Sequence, residues 1–140
     1  MPPKKQHPKP AKPKSLHQVV AAVGLYPAEA FEFVQQGLSY TVQTLHGQLT
    51  DPNASRHVSG AQLCEGLRDF ALHQWGLLAR TVLRRWDVTC TLDFGRIVFA
   101  MVDAGHMQKT DDDSIDDFKD VFDFREAFDT YRIRPAAVAS

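Results

Sequence analysis

The chain has 140 residues, 44% of them hydrophobic, and a formal net charge of −1. That length suits one domain with a full core, and that apolar content excludes wholesale disorder. The longest apolar runs fall well short of the ~20 residues of a membrane span, so no membrane partner is expected.

Charge is unevenly spread along the chain. Residues 1–14 carry five lysines and no acid, whereas residues 110–140 carry nine acidic side chains against four basic ones. In residues 1–14 (MPPKKQHPKPAKPK) those lysines alternate with five prolines. Proline removes backbone donors and favours extended polyproline-II geometry, and like charges stretch the segment further. The expectation is a disordered basic arm over 1–14, an all-α domain over 15–131 and a frayed end over 132–140. No apolar run follows the basic residues, so the arm does not read as a secretory signal. Cys64, at a core position, and Cys90, at a corner, then read as reduced thiols of a cytoplasmic protein.

From Ser15 the chain is marked by helix starts and stops. Ser15 and Gln18 form an S-x-x-Q capping box, and Leu16, Val19, Val20 and Val23 share one helical face up to Gly24. Pro27 suits a first helical position. Ala30, Phe31, Val34, Leu38, Val42 and Leu45 mark the next stripe, which Phe33, Tyr40 and Thr41 widen. Gly37 inside it permits close helix contact. A polar loop follows over 47–56. Ser59 and Gln62 form a second capping box, with Val58 and Leu63 as a hydrophobic staple. Leu63, Leu67, Phe70, Ala71 and Trp75 line that helix until Gly76 interrupts it.

Leu78, Ala79, Val82, Leu83 and Trp86 line the following helix, whose other side carries Arg80, Arg84 and Arg85. Thr91 reads as the cap of the next helix, with Asp93 in the first turn where the helix dipole favours an anion. Phe94, Ile97, Val98, Met101 and Val102 form its buried face, and Gly105 its C′ residue. Ser114 with Asp117 caps a single turn bearing Ile115 and Phe118. Asp123 with Glu126 starts a last helix carrying Phe124, Ala127, Phe128 and Tyr131. This segment is acidic on one side and aromatic on the other, which argues for docking onto the core. No stretch alternates with period two. The fold expected is a single compact all-α domain of five to six helices.

The functional signals are sparse. Lys4, Lys5, Lys9, Lys12 and Lys14 on an extended arm suit phosphate neutralisation with counterion release, hence RNA or the ribosome. A solubilising tail, or a tether onto the acidic residues of 111–129, fits the same composition. Arg80, Arg84 and Arg85, with Arg68 and Arg96 as further candidates, read either as a phosphate-binding face or as a solvated helix face with pairs such as Asp93–Arg96. A recognition helix followed by a wing is disfavoured, because acidic residues follow where a wing would meet phosphate. Asp111, Asp112, Asp113, Asp116 and Asp117 fail the EF-hand order: Asp116 stands where glycine is required and Phe122 where the bidentate Glu belongs. The histidines and cysteines lack metal-ligand spacing, and no nucleophile elbow, phosphate loop or dinucleotide fingerprint occurs. His57, Ser59 and Asp93 are a weak hydrolytic set, since Ser59 already serves as a cap. No cofactor is expected.

The blocks HVSGAQLCEGLRDFAL, WGLLARTVLRRWDVT, DFGRIVFAMVDAG and DFKDVFDFREAF resemble those of a family of short, uncharacterised bacterial proteins. The resemblance runs from about Pro27 to Phe128 and leaves out the arm. It implies a bacterial cytoplasmic setting and transfers no catalytic residue. The leading expectation is a non-enzymatic binding module associated with RNA or the ribosome. The alternative is a protein–protein adaptor or homo-oligomer using an aromatic face around Phe118, Phe122 and Phe128. An enzyme with a diffuse site comes third.

Overall fold

Why the helices begin where they do is visible atom by atom. In the computed structural model, which describes residues 14–47 and 56–129, the two capping boxes close in the same way. Ser15 Oγ accepts from the Gln18 N–H at 3.1 Å while Gln18 Oε1 accepts from the Ser15 N–H at 2.9 Å. Ser59 and Gln62 repeat the exchange at 3.1 and 2.9 Å. Each box satisfies donors that a helix start otherwise leaves unpaired. The helices are α1 (Leu16–Val23), α2 (Ala28–His46), α3 (Gly60–Trp75), α4 (Ala79–Arg85), α5 (Thr91–Asp103) and α6 (Phe124–Asp129), with 3₁₀ turns at Gly76–Leu78 and Ile115–Phe118. The described residues contain no strand, and the architecture is a compact all-α domain. The expected arm is outside the described residues except for Lys14. So are most of the 47–56 loop, Tyr131 and the 132–140 end.

α2 and α3 form the central pair, and both also meet α5. Their closeness depends on glycine. A Cβ on Gly37 would lie 2.2 Å from Leu67 Cδ2, and one on Gly66 would lie 1.9 Å from Thr41 Oγ1. α1 covers the α2–α5 side, while α6 sits against α3 and α4. Phe33 is the aromatic centre, with ring centroids 5.4 Å from Phe70, 5.3 Å from Trp75, 5.8 Å from Trp86 and 6.4 Å from Phe94. α5 ends in a Schellman motif. Gly105 takes φ 87°, where a side chain is strained, and the His106 and Gly105 N–H groups bond Met101 O at 2.8 Å and Val102 O at 3.1 Å.

Several expectations need correction. Thr91 is not the cap of α5; Cys90 holds that position. The Thr91 hydroxyl instead donates to Phe118 O at 2.6 Å and accepts from the Val121 N–H at 3.1 Å, so it clamps the acidic segment to the core. Leu78, expected on a buried stripe, is 64% exposed. The 3₁₀ turn at 76–78 advances faster per residue than an α-helix and rotates Leu78 outward. Leu45, at the end of α2, is exposed as well.

The aromatic face expected for protein contact is turned inward. Phe118 and Phe128 are 3% and 4% exposed, and Phe122 is half-buried against the core. Phe118 fills a slot between α3 and α5 where Gly60 and Gly95 leave room for its ring. Phe124 joins Phe94 at 5.7 Å and Phe128 at 5.2 Å, which extends the central aromatic cluster into α6. The acidic–aromatic segment thus docks, as its two-sided pattern implies.

Candidate functional site

Two polar constellations flank the corner at 86–90, between α4 and α5. The first is centred on Asp93, at the third position of α5 and 5% exposed. Its Oδ1 accepts from the Tyr26 hydroxyl at 2.5 Å and pairs with Arg96 Nη1 at 2.8 Å. Its Oδ2 accepts from the Thr89 N–H at 2.9 Å and the Cys90 N–H at 3.3 Å. Burial pushes the Asp93 carboxyl upward, but the bonds from Tyr26, Thr89 and Cys90 outweigh it and hold the group below its usual range. Burial, reinforced by the Asp93 bond, pushes the Tyr26 phenol up to about 12. The carboxylate therefore stays charged and the phenol stays protonated. The donors from Tyr26, Thr89, Cys90 and Arg96 all point at Asp93, and the constellation ties α1–α2 and the corner to α5.

The second constellation is open. Arg80 and Arg84 on α4 face Arg125 on α6 across a surface cleft of about 280 Å³, whose lining also includes Val88, Thr89, Phe124 and Asp123. Among the described residues none of these three guanidiniums has a carboxylate partner; the ion pairs are His57–Asp113, Arg68–Asp69, Arg96–Asp93 and Lys119–Asp116. Guanidiniums are charged at any physiological pH and present planar donor forks that match phosphate oxygens. Asp123 is the one acidic residue in the lining. Its Oδ1 already accepts from the Arg125 N–H at 2.8 Å and the Glu126 N–H at 3.2 Å.

Both walls are held in place. The Val88 N–H bonds Leu83 O at 2.9 Å, and Asp93 holds Thr89. Phe124 and Phe128 bury α6, and Arg68 Nε donates to Ala127 O at 2.9 Å. The cleft thus displays cationic heads on a backbone anchored at both walls.

Of the expected contact residues, Arg80 and Arg84 line the cleft, while Arg85 is exposed outside the lining. Arg68 and Arg96 are committed to internal partners, the latter to Asp93 as its spacing implied. Lys4, Lys5, Lys9 and Lys12 lie outside the described residues. Lys14 is exposed, and its carbonyl accepts from His106 Nε2, which joins the start of α1 to the end of α5. Arg125 is the cleft residue that sequence reading missed. Nothing local in the sequence singles it out; the docking of α6 beside α4 sets it on the same cleft as Arg80 and Arg84.

The hydrolytic set does not assemble. His57 Nε2 bonds both Asp113 oxygens at 3.0 Å, Ser59 caps α3, and Asp93 serves Tyr26 and Arg96. Cys64 is fully buried, and burial pushes its thiol up to about 12. Among the described residues no group of three or more His, Cys, Asp or Glu is placed to hold a metal ion. Nor is any helix there long and apolar enough to cross a membrane. No family model matches the chain, and neither a curated protein nor a solved structure does.

Proposed function

We propose that the chain is a binding module rather than a catalyst, that its partner is RNA, free or in the ribosome, and that the Arg80–Arg84–Arg125 cleft is the contact on the folded domain. The lysines of residues 1–14 supply a second, sequence-independent contact. A bacterial cytoplasmic setting belongs to the same reading. The observation that carries it is the set of three arginines without carboxylate partners among the described residues, gathered on one cleft. Surface arginines on helices commonly find acidic neighbours at i+3 or i+4. α4 contains no acidic residue at all, so its cations stay available.

The test is RNA binding by the full-length protein across a salt series. Log affinity should fall linearly with log salt, and the slope should flatten by about 0.7 for each phosphate contact removed from single-stranded RNA. Replacing Arg84 and Arg125 by Ala should weaken binding about tenfold or more without changing the melting temperature. Replacing the five arm lysines by Gln should lower the slope further. Binding that ignores both salt and these substitutions would sink the proposal.

A second reading, protein contact, moves from the buried phenylalanines to Leu77 and Leu78. These adjacent side chains are 60% and 64% exposed on the 3₁₀ turn that leads into α4. Sedimentation of wild-type protein against Leu77→Ser/Leu78→Ser checks it. Self-association that persists in the variant excludes that turn.

A further inference from the structure

The cleft differs in shape and charge from a surface that tracks a nucleic-acid backbone. A backbone-tracking surface is a groove or stripe along which cations follow successive phosphates. Here three arginines from two separate elements surround a single concavity. Its volume, about 280 Å³, falls just under the ~300–1,000 Å³ usual for small-molecule sites. That suits an end group better than a strand running through.

Charge points the same way. Three guanidiniums face one carboxylate, Asp123, whose Oδ1 is already occupied by two backbone N–H groups. The excess is two positive charges. A phosphodiester carries one negative charge, whereas a phosphomonoester carries roughly −1.5 to −2 at neutral pH and offers three strong acceptor oxygens. Three forks on three terminal oxygens form the bidentate pattern that arginine supplies and lysine does not. The lining also includes Val88 and Phe124, both buried.

We infer that the Arg80–Arg84–Arg125 cleft is a phosphomonoester pocket, which recognises the terminal phosphate of an RNA strand or the phosphate of a free nucleotide. The inference rests on the reading of this cleft as the RNA contact. Arg125 is its specificity residue, because α6 carries it across to the α4 pair.

The experiment titrates full-length protein with four probes: a short RNA with a 5′-phosphate, the same RNA with a 5′-hydroxyl, adenosine monophosphate and inorganic phosphate. The expected result is about tenfold tighter binding of the 5′-phosphorylated strand, in line with one additional charge-assisted contact. Arg125→Ala should abolish that preference, so that the two strands bind alike and both more weakly than wild type binds the 5′-phosphorylated strand. Arg125→Lys should restore part of it, since it returns the charge without the fork. Competition by adenosine monophosphate at concentrations where inorganic phosphate is inert assigns the source to a nucleotide and supports the pocket. Equal competition by inorganic phosphate supports a pocket that reads the phosphate alone. If both strands bind equally and Arg125→Ala weakens both alike, the pocket inference is overturned and the RNA-binding proposal stands. If no probe binds, both fall.

Discussion

The Asp93 hub and the arginine cleft share a wall, the corner at 86–90, yet they treat charge in opposite ways. On the hub side one carboxylate is buried and meets donors from Tyr26, Thr89, Cys90 and Arg96. On the cleft side three guanidiniums meet no acid among the described residues beyond the capped Asp123. A charge buried with internal partners shapes the fold, because removing any partner leaves the others desolvated and unpaired. A charge held on rigid backbone without a partner adds nothing comparable to the fold. Its donors stay open to solvent or to a ligand. Thr89 shows how the two are linked: its N–H is held by Asp93 while its residue lines the cleft, so the hub shapes the site without belonging to it.

The largest expected effect comes from breaking the hub. Asp93→Asn should cost about 3 kcal/mol in urea unfolding, because it removes the charge that Tyr26, Arg96, Thr89 and Cys90 all address. The pH dependence carries the same signature. The folded Asp93 carboxyl lies below its usual range, so its contribution is complete above the unfolded value of about 3.9 and is lost as pH falls through the folded one. Wild-type protein should lose stability in that acid window, and Asp93→Asn should lack that part of the loss. A variant as stable as wild type would mean the hub is not structural. Next comes Gly66→Ala, at about 2 kcal/mol, since the new methyl meets β-branched Thr41 across the α2–α3 contact. The folded fraction of this variant should bind RNA as wild type does, which separates lost stability from lost function. Tyr26→Phe should cost about 1 kcal/mol, because one donor is lost and the remaining donors still surround the carboxylate. Alkaline titration supplies the independent check: the Tyr26 phenol should ionise near 12 in wild type, and that step should vanish in the variant.

How far the hub and the cleft were legible in the sequence follows from how local each is. The capping boxes, the Gly105 stop and the Asp93–Arg96 pair depend on residues within one turn of each other, and all are found as read. The Tyr26–Asp93 bond joins residues 67 positions apart, which no spacing rule reaches. The same holds for the slot that Gly60 and Gly95 open for Phe118. Its consequence is larger, because a buried anchor and an exposed docking face have the same helical pattern in sequence. Two arginines of the cleft were visible as a run on α4. The third required knowing that α6 docks against α4. Leu78 was misplaced for a subtler reason: a single 3₁₀ turn shifts the phase of the apolar stripe without changing its composition.

The smallest effect sharpens the comparison most, because it concerns a charge of intermediate kind. His57 Nε2 lies 3.0 Å from Asp113 Oδ2, with the His57 side chain 39% exposed. Asp113 has internal partners, like Asp93, but sits near solvent, like the arginines. Burial pushes its carboxyl up, and the Thr110 N–H and His57 more than reverse this, so the group lies below its usual range. Solvent screening should limit the pair to about 0.5 kcal/mol. The sign is that of a depressed acid: the contribution is complete above about 3.9 and fades as pH drops through the folded value. The stability difference between wild type and Asp113→Asn should therefore be small at neutral pH and close to zero in acid, with RNA affinity unchanged because Asp113 lines no part of the cleft. A difference as large as that at Asp93 would mean that partners alone, not burial, set the structural worth of a charge in this fold. A difference that does not change with pH would mean that Asp113 contributes by packing rather than by charge.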